Sequence, residues 1–317
     1  MTTLNHRSIE VRLPVFIGAL LVAAVFASVW GAYQEVKHSA LVAASERLDR
    51  VTNQVAELVQ KGIHQQLAAL RDVARDPAVG VYLGRASGPH ARSAALLTMG
   101  RRAAQGQGPV AVELWDASGR PVLWAGAQPP PLEAGVARGL MAAASGRDSG
   151  APGPLQFERD TLWFASAVAV TGGGRVAGFV VERRHVSASP DAARQIVALI
   201  GGDAALYIGN ARGDLWTDFW RPVAAPPGDL SGRRGTVQYE RGGSAQLARA
   251  VAIPATPWLL VVEFPRDAVL ARAAAFLSRA TLFAMLLLGL GATATWAISR
   301  AITRPLRQLT DAAAAIA

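Results

Sequence analysis

The sequence predicts an α+β protein in which two transmembrane helices flank a long helix and two tandem antiparallel sheet units. Three observations lead there: two uncharged apolar runs far apart in the chain, a helical hydrophobic period after the first run, and then strand-like segments parted by glycine turns. The 317 residues are 51% hydrophobic, more apolar material than a soluble domain of this size commonly uses.

The first run, Leu13 to Tyr33 (LPVFIGALLVAAVFASVWGAY), carries no charge over about 21 residues. As a helix rising about 1.5 Å per residue it crosses a hydrocarbon core about 30 Å thick. A basic lead of His6, Arg7 and Arg12 also fits a cleavable signal peptide. The run exceeds an ordinary signal core, and no small-x-small site precedes the polar helix from Gln34, so an anchor is the better reading. The second run, Ala280 to Ile298, lies between Arg279 and the group Arg300, Arg304 and Arg307. Basic residues beside a span stay in the cytoplasm. Residues 1–12 and 299–317 are therefore expected inside, with 13–33 and 280–298 spanning a bacterial inner membrane and 34–279 periplasmic or extracellular. Trp30 and Tyr33 then fall at the outer interface and Trp296 at the inner one.

Between the spans the pattern changes twice. From Gln34 to Asp76, Leu41, Leu48, Val51, Val55, Leu58, Leu67, Leu70 and Val73 recur at helical spacing. Leu48 to Leu58 step +3, +4, +3, a heptad seam suited to the domain's own sheet or to a second chain. Asp76-Pro77 ends the helix, because the residue before proline disfavours helical backbone. "VAVELWD" (Val110 to Asp116) and "PVLWAG" (Pro121 to Gly126) then predict a hairpin, followed by a short helix near Leu132 to Ala144 and a Gly/Pro loop at Gly150 to Pro154. "LQFERDTLWFASAVAV" and "RVAGFVVERRHV", joined at "TGGG", complete one sheet over 110–185. Ser189-Pro190-Asp191 reads as a helix start. From 203 to 264 the theme repeats in "AALYIGNARGDLWTD", "TVQYE", "AQLARAVAI" and "WLLVVEF".

Little catalytic chemistry is visible. The net charge of +9 comes from scattered arginines without aromatic interleaving or a recognition helix, so no nucleic-acid partner is expected. Without cysteine there is no disulfide, thiolate nucleophile or Cys-based metal site. None of the five histidines stands at a zinc-ligand spacing, and neither metal nor cofactor is expected. "TGGGRVAG" misses the GxGxxG spacing and leads into a strand, which a hairpin turn explains. No nucleophile elbow or phosphate loop of Walker type occurs. The residues that stand out are aromatic and polar ones around the first sheet: Trp115, Trp124, Arg159, Asp160 and Trp163, near Glu113, Asp116, Phe157, Glu158 and Phe164. An arginine for a carboxylate and rings for an apolar body would suit a small-molecule ligand. Core packing and turn formation are the other use of such residues, and the same holds for Trp216, Asp218 and Trp220.

After the second span, Ile302, Leu306, Leu309, Ala313 and Ile316 step +4, +3, +4, +3. With Pro305 at its start, this stretch resembles the first helix of a HAMP linker, in which a proline near the membrane opens a coiled-coil helix. The resemblance implies a homodimer and a signal relay through Ile302, Pro305, Leu306, Leu309 and Ile316. The turn and second helix of a HAMP unit do not follow, so a truncated chain is expected. In the order of its elements, residues 34–271 resemble a double Cache sensor, with two PAS-like units after a long helix. That resemblance implies small-molecule binding in the unit at 110–185. A tyrosine-arginine-tryptophan-tyrosine signature for amino acids is not reproduced around "ERDTLWFASAV". Such front ends serve sensor histidine kinases, with a response regulator as partner if a kinase domain follows, and also chemoreceptors and nucleotide or diguanylate cyclases. No catalytic domain lies within these residues. A membrane-anchored enzyme and a passive interaction protein are the alternatives from other classes.

Overall fold

The structure, a computed structural model, describes residues 9–84, 88–105, 110–126, 131–158, 160–186, 204–226, 230 and 235–314, with the side chains of 9–15, 17, 272, 295 and 298–314 not among them. The chain divides into two compact units: Ser45–Arg266, and a second formed by the segments on either side of it.

The flanking unit holds parts of two helices long and apolar enough to cross a membrane. One belongs to α1 (Ile9–Arg75), the other to α5 (Arg266–Ala314). Phe16, Leu20 and Phe26 on the first, and Leu282, Phe283 and Leu286 on the second, are exposed. Apolar surface on that scale calls for a nonaqueous cover. Helix α5 does not restart at Pro305 but continues through it to Ala314. Proline's fixed φ is compatible with helix, and the cost is a lost backbone hydrogen bond.

In the Ser45–Arg266 unit, α1 buries Leu48, Thr52, Ala56, Ile63, Leu67 and Leu70. The stripe is not the predicted seam: Val51 and Val55 are half-buried and Leu58 is 67% exposed. The buried stripe shares Leu48 with that seam and runs beside it through Thr52 and Ala56, positions that also lie on one face of a helix. Asp76 ends α1 and caps α2 (Pro77–Leu83), accepting from the Ala78 N–H at 2.9 Å. Its other oxygen accepts from Thr98 Oγ1 of α3 (Pro89–Gln105), also at 2.9 Å. Sequence pattern does not announce these two helices, because "PAVGVYLG" is short and α3 is rich in Ala and Arg with a weak apolar stripe.

The first sheet comprises β1 (Val110–Asp116), β2 (Pro121–Gly126), β3 (Ala151–Glu158), β4 (Thr161–Gly172) and β5 (Arg175–His185), with α4 (Ala134–Ser145) between β2 and β3. Its antiparallel order is β2-β1-β5-β4-β3. Asp116 closes the first hairpin, accepting from Ser118 Oγ at 2.6 Å and from the Ser118 and Arg120 N–H groups at 2.9 Å. The Ser118 hydroxyl foremost, then these backbone bonds, hold its carboxyl below the usual range. Two expectations change here. The stretch Ala151 to Pro154, read as loop, is strand, because β3 is an edge, where proline need not donate to a ladder. "LQFERDTLWFASAVAV" is two strands, with Asp160, whose φ of 58° is left-handed, in the turn between them.

The second sheet comprises β6 (Ala205–Asn210), β7 (Trp216–Thr217), β8 (Val237–Arg241), β9 (Ser244–Ala252) and β10 (Trp258–Pro265). Its order, β7-β6-β10-β9-β8, repeats the first sheet's, so the suggested repeat is a repeat of topology. The helix expected from Ser189 lies outside the described residues.

Candidate functional site

Alternation along a strand sorts the first sheet into two faces. One carries Val112, Leu114, Val180 and Glu182, and turns toward α1, since Gln66 of that helix donates to Glu182. The other carries Glu113 and Trp115 from β1, Phe179, Val181 and Arg183 from β5, and Trp163, Ala165 and Ala167 from β4. Leu140 and Ala144 of α4 pack on this second face with Trp115, Trp163 and Phe179.

Within that apolar setting stands an ion pair. Arg183 Nε lies 2.6 Å from Glu113 Oε1, and Arg183 Nη2 donates to Oε2 at 3.3 Å. Trp115 Nε1 donates to the same Oε2 at 2.8 Å, and the Arg183 guanidinium lies 5.4 Å over the Trp163 ring. Both charged side chains are about 95% buried. Burial pulls the Arg183 guanidinium below its usual range, while Glu113 raises it back in part. Removing two charges from water costs several kcal/mol per ion before pairing, so the sheet carries them here at a penalty. The pair and the Trp115 and Trp163 rings beside it are all buried on the face that α4 covers.

Behind it, Glu182 is fully buried and well satisfied. Arg102 of α3 grips it with a fork (Nε at 2.7 Å, Nη2 at 3.1 Å), Arg184 Nη2 lies 3.1 Å away, and Gln66 Nε2 donates at 3.2 Å. Neighbouring residues of β5 thus serve opposite faces: Arg183 the candidate site, Glu182 the joint with α1 and α3.

Of the residues picked from sequence, Trp115 and Trp163 flank the ion pair. Trp124 lies opposite Glu113 in register but on edge strand β2, 48% exposed. Asp160 occupies the β3–β4 turn, and Arg159 lies outside the described residues. Phe164 points away from the site, its ring edge-on to Trp258 at 4.9 Å. The missed residue is Arg183. Its signal was a charged run, Glu182-Arg183-Arg184, directly after the apolar "VAGFVV" within one strand. In the second sheet, Trp216 is core, while Asp218 caps an exposed turn bearing Trp220. Helix α5 includes Ile302, Pro305, Leu306 and Leu309, and Ile316 lies beyond the described residues. Among the described residues no group of three His or carboxylate side chains could hold a metal.

No family model matches the chain, and no curated protein sequence does. Solved structures do. The ligand-binding domain of the Pseudomonas fluorescens chemoreceptor CtaA in complex with L-isoleucine matches at 11% identity, over 74% of this chain and 98% of that one, with a TM-score of 0.52. The two domains share a fold. A Campylobacter jejuni chemoreceptor domain in complex with L-norvaline also matches (11% identity, 74% and 94% coverage, TM-score 0.48). So does the extracellular domain of a protein assigned as a histidine kinase (11%, 76% and 96%, TM-score 0.47).

Proposed function

We propose that this sensor domain is the input of a two-pass receptor in the bacterial inner membrane, with residues 34–279 outside and the start of a HAMP relay inside. The observation that supports it is the Glu113–Arg183 pair between Trp115 and Trp163, a recognition element built into an otherwise apolar sheet face. Its ligand is a small organic molecule with a charged end for the ion pair and an apolar body for the rings. Binding favours one of two arrangements of the second span, by no more than the ligand's difference in affinity between them. The receptor works as a homodimer, and its output is a histidine kinase signalling to a response regulator. A chemoreceptor is the second reading, supported by the chemoreceptor domains among the matching structures.

The test uses the full chain in lipid nanodiscs, with a metabolite panel and thermal stability as readout. The amino acids bound by the matching chemoreceptors form its first arm, and organic acids and amines its second. A hit should raise the melting temperature of wild type and not that of Arg183→Met. A broad panel without a stabilising compound would overturn the small-molecule reading.

A further inference from the structure

The second sheet also has a face turned from α1. Arg249 of β9 points toward α1, with its Nε 2.9 Å from Asp49, and Phe264 of β10 lies under Arg47. Tyr207, Val261, Glu263, Ala248 and Tyr239 occupy the opposite face. Glu263 is 2% exposed. We propose that Glu263 is a proton-binding site, so that the chain senses external acidity through its second sheet in addition to a small molecule through its first.

The argument rests on how Glu263 is held. Its register neighbours are Ala205 on β6 and Ala248 on β9, which offer it nothing polar. The Tyr239 hydroxyl donates to Oε1, and Arg241 Nη1 lies 3.5 Å from the same oxygen. The rest of that guanidinium is engaged elsewhere, with Nη2 donating to the Ala224 carbonyl at 3.1 Å and Cζ 4.5 Å over the Tyr207 ring. Glu182, equally buried, has a two-pronged arginine, a second arginine and an amide. Glu263 has one phenol bond and one long arginine contact where Glu182 has four close ones, so its buried charge is compensated less. Burial accordingly raises the Glu263 carboxyl above its usual range, and Tyr239 and Arg241 bring it only part of the way back. Burial, and then Glu263 itself, push the Tyr239 phenol up, which keeps it a neutral donor. Among the described residues, Tyr239 and Arg241 of β8 and Tyr207 of β6 are the titratable or charged groups facing Glu263. Strand β9 and residues 222–226 add none, and Asp218 and Arg221 pair with each other in an exposed turn.

On acidification the carboxylate takes a proton from water and becomes a neutral acid. Its hydroxyl then needs an acceptor, so Tyr239 exchanges its donor role, and Arg241 loses its counter-charge while keeping Ala224 and the Tyr207 ring. The sign follows from linkage. A carboxyl raised by folding contributes stability below its unfolded value and loses it as pH rises through its folded value. Glu263 precedes Arg266, the first residue of α5, by three positions, so the change arrives at the strand-to-helix junction.

Infrared difference spectra of the full chain in nanodiscs, titrated from about pH 8 to about pH 4 with no metabolite added, test this. A protonated-carboxyl band should grow in with a midpoint above the ordinary carboxylate range and be missing in Glu263→Gln. Tyr239→Phe and Arg241→Gln each remove a group that favours the carboxylate, and should raise the midpoint by about one pH unit or more. A band unchanged in Glu263→Gln, or a midpoint in the ordinary range, overturns the proposal. If Glu263→Gln does not fold, the Tyr239→Phe shift decides. Failure of the metabolite panel leaves this result unaffected, since the proton is the only ligand used.

Discussion

The Asn210 side chain pairs with the Leu155 backbone as a neighbouring strand would, accepting from its N–H at 2.8 Å and donating to its carbonyl at 3.0 Å. This joins the start of the second sheet to the edge of the first. Trp258 Nε1 adds a bond to the Gly153 carbonyl at 3.0 Å. Asn210→Ala should leave two buried backbone groups unpaired, at about 1–3 kcal/mol each. Urea unfolding followed by fluorescence should show an earlier midpoint and a broader transition, because the sheets would no longer unfold as one.

Glu182 anchors α1 and α3 to the sheet. Truncating it strands the charges of Arg102 and Arg184, and breaking a buried pair costs about 3–5 kcal/mol. Glu182→Ala should therefore lower thermal stability more than Arg184→Ala, whose side chain is partly exposed. Differential scanning calorimetry of the two variants checks the order.

At the candidate site, stability and recognition should come apart. Arg183→Met alone leaves Glu113 buried without its counter-charge, keeping the Trp115 N–H, whereas Arg183→Met with Glu113→Gln removes both charges. The double variant should recover much of the lost melting temperature yet remain blind to the compound that stabilises wild type. Recovery of the ligand response along with stability would show that the pair is only structural.

A backbone approach sets a further limit. A Cβ on Gly178 would lie 2.3 Å from the Trp115 carbonyl oxygen and 2.8 Å from a Leu83 methyl. Gly178→Ala must push β5 from β1, at about 1–3 kcal/mol, and displace Trp115. A shift in tryptophan emission at unchanged secondary structure is the expected signature.

The native absence of cysteine makes the proposed relay testable. Ile302→Cys, Leu306→Cys and Leu309→Cys should cross-link in membranes more readily than Arg304→Cys, Gln308→Cys and Asp311→Cys. Equal cross-linking would remove the paired seam.

Much of this fold is legible in sequence wherever one face of an element is buried and the other is not. "VAVELWD" and "PVLWAG" coincide with β1 and β2 because turn residues bound them. The legible signal fades when the ends of an element are set by tertiary contacts. Residues Ala151 to Pro154 look like a loop because the allowance for proline comes from being an edge, which only strand order reveals. Leu58 has the spacing of a core residue and lies in the open, since the local period fixes a stripe but not what covers it. At the site the aromatic rings announced themselves by rarity. Arg183 did not, because a charge in an apolar strand reads as solvent-facing until its partner on another strand is known.

The alternation of Glu182 and Arg183 on β5 also bears on how the chain finds its native pairing. Slipping a strand by one residue exchanges its two faces. Here such a slip would set Glu182 beside Glu113 and Arg183 beside Arg102, turning two attractions into two repulsions. The charges that make the sheet costly to bury therefore also disfavour that wrong alignment of the central strand.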